Sequence, residues 1–161
     1  GVILTKDNLI KRNWHGNPHC VFCDHEGTIK HLFFQSKLAR SIWSVIRIAS
    51  GLYPPCSVAN VFGNWLHGID HKFRTLLRVG ALAVIWSLWL CRNDKVFNDK
   101  STSLLQVIYR CTGTLRLWST LQRVENQDLF TEVCTRLEDT ARDTFTQHGW
   151  QNDLRIGPPP L

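Results

Sequence analysis

The chain has 161 residues, 43% of them hydrophobic and 20% charged, so it can bury one core and is too apolar to stay disordered. A net charge of +6 admits nucleic acid or an acidic partner without requiring either. Six cysteines with no secretory leader pattern argue against a disulfide scaffold and point to a reducing, intracellular location, nuclear or cytoplasmic, and not to secretion.

The longest apolar run, residues 79–91, falls short of the ~20 residues of a membrane span, so a buried helix and no membrane partner are expected. The chain opens on Gly1 and lacks Met throughout, which suggests a piece of a longer product.

Helical periodicity runs through most of the sequence. Thr5 or Asp7 can cap a short first helix through residues 8–11. Asn17-Pro18 and Glu26-Gly27 are turn signals on either side of a Cys pair, predicting a compact knuckle with two very short strands at most. The spacing then predicts a helix over 29–49. Leu32, Ala39, Ile42, Trp43, Ile46 and Ala49 share one face, and Lys37, Arg40, Ser44 and Arg47 lie around the other. Gly51 and Pro54-Pro55 end it. A short helix over 57–66 follows, with Val58, Val61, Phe62 and Trp65 apolar.

The next helix, 72–97, is apolar nearly all round from Val79 to Leu90 and calls for neighbours on several sides. Ser101 or Thr102 can cap a helix to about 124 that buries Val107, Cys111, Leu115, Trp118 and Leu121, with Gly113 weakening its middle. A last helix, 128–147, buries Phe130, Val133, Leu137, Ala141 and Phe145. The expected fold is mainly α, a bundle of about five helices preceded by a small Cys/His knuckle. Residues 1–50 form the knuckle region and its helix. Residues 51–148 form a helical body continuous with it, and 149–161 a flexible tail.

The chemistry concentrates in Cys20-Val-Phe-Cys23, then seven residues, then His31. A Cys-x2-Cys turn brings two thiolates to one metal, and a His at the start of a following helix supplies a third donor. A fourth donor is expected a few residues on, where the chain has Gln35 and Ser36. A neutral hydroxyl is a poor zinc ligand. Three outcomes stay open: His15, His19, His25 or Asp24 substitutes, water completes the site, or the helices hold the fold without metal.

Thr5-Lys-Asp-Asn-Leu-Ile-Lys-Arg12, the Cys pair, Thr28-Ile-Lys-His31-Leu-Phe-Phe and Ala39-Arg-Ser-Ile-Trp43 together resemble the zinc-binding region of plant non-LTR (LINE-type) retrotransposon reverse transcriptases. Those proteins read T-x-D-N-L, C-x2-C, H-L-F-F-x-C and A-x-x-x-W. The later Ile85-Trp86 to Arg92-Asn93-x-x-x-Phe97 stretch resembles the helix that follows there. The resemblance covers about residues 1–98. It implies an accessory module C-terminal to a polymerase that binds zinc and helps to hold template RNA or target DNA. Cys20, Cys23 and His31 carry over as ligands, whereas Ser36 stands where that family has Cys.

No polymerase signature and no spaced carboxylate set occurs, so no catalytic residue is expected. Lys11, Arg12, Lys37 and Arg40 are the candidate nucleic-acid contacts, beside Lys6, Lys30 and Arg47. Trp14 and Phe22 either stack on bases or pack under the knuckle. Arg92 is expected to meet the carbonyl end of its helix. Cys91 and Cys111 should be inert core thiols, and Asp94, Asp99, Glu138 and Asp139 solvated. The resulting reading is a non-catalytic accessory module with zinc as its possible cofactor and RNA or DNA as its possible partner. The alternative is a metal-free helical scaffold or interaction domain of the same ancestry.

Overall fold

The computed structural model describes residues 5–13 and 15–148. The tail at 149–161 and Trp14 lie outside the described residues. Helix α1, Lys6–Ile10, leads into an irregular segment that carries an antiparallel bridge between His19 and Glu26. Then come a π-helical turn, His31–Gln35, and helices α2 (Lys37–Ser50), α3 (Val58–Phe62), α4 (His71–Asn98), α5 (Leu104–Ser119) and α6 (Val124–His148).

Local chemistry sets most of these limits. Ser36 caps α2, and Gly51, at φ 74°, takes the left-handed conformation that closes it. Asp70 caps α4 by accepting from the Lys72 amide. Ser103 and Gln106 form a reciprocal capping box that starts α5, so neither Ser101 nor Thr102 is the cap.

Helix α5 packs between α4 and α6, and α2 lies across α5 and α6. A continuous hydrophobic cluster runs from Leu32 in the π turn through Ile42, Leu88 and Ile108 to Phe145 in α6. Trp43 ties the π turn to α2: its ring stacks on Phe34 at 6.2 Å, and its Nε1 donates to the Phe33 carbonyl at 2.9 Å. The widened turn therefore buries four consecutive residues, His31 to Phe34, which one face of an α-helix cannot do.

The structure corrects several sequence expectations. The helix over 29–49 is broken at Ser36, whose backbone is extended at ψ 155°. Helix α5 stops at Ser119 and α6 begins already at Val124, leaving Leu121 80% exposed where burial was expected. Helix α4 is buried along one stripe, through Leu76, Val84, Leu88 and Cys91, while Trp86 and Phe97 are exposed on the rest. With 28 residues and an 18-residue window of mean hydropathy 1.4, α4 is long and apolar enough to cross a membrane by length and composition, although the uninterrupted apolar run is shorter.

Glu138 is buried, not solvated, and joins α6 to α5 through Thr112 and Arg116. Asp94 is partnered as well, with Arg110 at 2.8 Å.

Candidate metal centre

The knuckle is a loop folded back on itself. The Cys20 amide donates to the His25 carbonyl at 2.6 Å and the Gly27 amide to the Pro18 carbonyl at 2.9 Å. At Gly27 a Cβ would stand 3.1 Å from the Pro18 oxygen and 3.2 Å from Lys6 Cβ, so this crossing suits glycine. The Phe22 amide points at Cys20 Sγ, 3.5 Å away, a donor that suits a thiolate. Lys6 of α1 donates to the His19 carbonyl and fastens the first helix to the loop.

The ligand atoms of Cys20, Cys23 and His31 all lie within 4.8 Å of one another. Cys23 Sγ is 3.0 Å from His31 Nε2. The His31 amide donates to Thr28 Oγ1 at 3.0 Å, which fixes the entry to the π turn. Burial, reinforced by neighbouring His25, lowers the His31 pKa and favours the neutral imidazole that a metal takes. Burial pushes the Cys20 thiol up to about 11. A bound cation inverts that logic, because a coordinating thiol is deprotonated outright. Two thiols and an imidazole gathered this closely are soft and borderline donors that fit zinc.

Ser36 follows the same π turn but is committed elsewhere. It is fully buried; its hydroxyl donates to the Leu32 carbonyl at 3.1 Å and accepts from the Ala39 amide at 3.2 Å. The other candidate donors stay outside the cluster. His25 is exposed and stacks on His31, rings 5.3 Å apart and 18° from parallel. His19 Nδ1 lies 3.0 Å from the Asp24 carbonyl. Among the described residues, no further Cys, His, Asp or Glu joins the group.

Helix α4 reaches the knuckle through Arg92, a relationship the sequence reading missed. Arg92 is six residues short of the helix end, so it does not meet the terminal carbonyls. It is buried, its guanidinium over the Trp89 and Phe97 rings at 5.1 and 5.8 Å. Together with Thr5, Lys6, Cys20, Gly27 and Leu32 it lines a cavity of about 20 Å³. A cavity shared by residues this far apart in the chain leaves no periodic signal.

The candidate nucleic-acid residues are all exposed. Lys11 and Arg12 lie in the turn after α1, and Lys37 and Arg40 in the first turn of α2. None of them enters an ion pair among the described residues. Phe22 is half-buried against the hydrophobic cluster. A separate apolar groove of about 370 Å³, lined among others by Trp43, Leu76, Gly80, Leu115, Phe130 and Arg136, opens between the helices.

Comparison with curated proteins and with solved structures gives no match. A family described as zinc-binding in reverse transcriptase matches residues 1–43, a span that holds Cys20, Cys23, His31 and Ser36 and stops short of the stretch from Ile85 to Phe97. Over those residues the chain is similar to the zinc-binding region of reverse transcriptases, and its three clustered donors are placed to hold a metal ion.

Proposed function

We propose that the chain is a non-catalytic accessory module of reverse-transcriptase origin that binds single-stranded nucleic acid beside its metal knuckle. The observation that carries this reading is the clustered Cys20, Cys23 and His31 inside the matched span. Lys11, Arg12, Lys37 and Arg40 flank the knuckle in sequence and are exposed and free of carboxylate partners among the described residues. Their role is to contact phosphates, which gives affinity with little base preference and a steep dependence on salt. The metal holds the loop between α1 and the π turn, and so sets the spacing of the two basic pairs. A reducing, intracellular setting keeps the two thiols available for it.

The test is fluorescence anisotropy of a labelled single-stranded RNA and its DNA counterpart across a salt series. The expected log–log slope becomes shallower by roughly 1.4 in a Lys37→Gln/Arg40→Gln double variant, at about 0.7 per phosphate contact. Absence of binding at low salt would refute the reading. That result, with a fold that survives chelator, would favour the interaction-domain alternative, which the apolar groove and the exposed Leu117, Leu121 and Val124 support.

A further inference from the structure

We propose that the metal centre of this chain is a three-donor site, Cys20, Cys23 and His31, from which Ser36 has been withdrawn into a helix cap, leaving the fourth position to a thiolate from outside the chain. The inference rests on the metal-binding reading of residues 20–31 and is independent of nucleic-acid binding.

Three observations lead to it. The Ser36 hydroxyl is fully buried, with its proton on Leu32 O and a lone pair on the Ala39 amide. Turning it toward a metal would strip α2 of its cap and leave both backbone groups unmet. The neighbouring imidazoles are disposed otherwise: His25 lies parallel to the His31 ring and His19 faces the Asp24 carbonyl. The loop is also open on the side that carries Cys23, with Cys23 half-buried and Asp24, His25 and Glu26 exposed, so an external ligand can approach.

Charge and softness select the ligand class. Two thiolates and a neutral imidazole balance a divalent cation, and Lys6 and Arg92 line the cavity beside Cys20. The cation itself favours an anionic donor over a neutral one, and does so although Asp24 and Glu26 flank the open side. A site already rich in sulfur favours a soft one. A small thiol meets both conditions: it loses its proton to solvent as its sulfur binds, water leaves, and no electrons move.

The test uses the full chain loaded with Co²⁺ and titrated with N-acetylcysteine, with N-acetylserine as the control. The expected result is a saturable rise in the sulfur-to-cobalt charge-transfer band and a shift of the ligand-field bands with the thiol, and neither with the hydroxyl compound. Ser36→Cys should show the thiol-saturated type of spectrum without added thiol and respond no further. A variant that fails to fold leaves the wild-type titration decisive. A wild-type spectrum that the thiol does not change overturns the proposal, as does its conversion into that of the free cobalt–thiol complex. Failure to take up Co²⁺ at all overturns the metal reading as well, whereas loss of nucleic-acid binding alone touches only the proposed function.

Discussion

The hydroxyl of Ser36 stands 3.2 Å from the backbone nitrogen of Ala39 and accepts its hydrogen bond, so the residue at the expected fourth ligand position is the N-cap of α2. Ser36→Ala removes that acceptor. The expected cost is about 1 kcal/mol of folding stability, with no change in zinc affinity. Denaturant unfolding and a competitive zinc titration on the same variant check the two halves. Weaker zinc binding at unaltered stability would reverse the assignment and make Ser36 a ligand.

This cap also marks where sequence reading reached its limit. The apolar face of α2 was legible because Ala39, Ile42, Trp43 and Ala49 recur at helical spacing, and the structure buries all four. The clustering of Cys20, Cys23 and His31 was legible because a tight Cys-x2-Cys turn and a nearby His leave few other arrangements. The π turn was not, because its i to i+5 bond, Ser36 N–H to His31 O at 2.7 Å, depends on how Phe33 and Phe34 meet Trp43 and Trp43 meets Trp65. Arg92 and Glu138 were misplaced for a related reason: Arg92 read as a helix-end cation and Glu138 as solvated, whereas Arg92 shares a cavity with knuckle residues and Glu138 is bonded to Thr112 and Arg116 of α5.

The cysteines should divide by environment. Cys56 is exposed, whereas Cys91, Cys111 and Cys134 are buried, and burial pushes the last two up to about 12 and about 11. At neutral pH these buried thiols are protonated and shielded, and therefore unreactive. With metal bound, an aromatic disulfide reagent is expected to label Cys56 alone in a fast phase, which Cys56→Ser abolishes. Chelator should add a second phase at half-buried Cys23. Fast labelling of Cys111 in the native protein would show that the core opens readily between α5 and α6.

Gly113 sits in the middle of α5 without a packing reason. It is exposed, and a Cβ there meets nothing within 4 Å. Gly113→Ala should stabilise the fold by about 0.5–1 kcal/mol, through helix propensity and a less flexible unfolded chain. In a chain of this size that raises the melting temperature by roughly 1–4 °C. A lower melting temperature would mean that α5 bends at this point in the native state.

Between α5 and α6, Arg116 holds both carboxylate oxygens of Glu138, at 2.5 and 3.1 Å, while Thr112 donates to the first. The bond from Arg116 holds the Glu138 carboxyl below its ordinary range; burial opposes this, and Thr112 and the Arg142 charge assist Arg116. A depressed folded pKa contributes stability that is fully present above the unfolded value of about 4.3 and is lost as the pH falls through the folded value. The pair should therefore support the fold at neutral pH and weaken it in acid, below about pH 4. Arg116→Met leaves the carboxylate buried beside only a hydroxyl and the more distant Arg142, and should cost about 1.5–3 kcal/mol at pH 7. The wild type loses the pair as Glu138 protonates in acid and the variant has none to lose, so the deficit relative to wild type should shrink on acidification. Urea unfolding of both proteins at pH 7 and pH 3 measures this. A deficit that is the same at both values would mean that Arg116 acts through the packing of its stem and not through its charge.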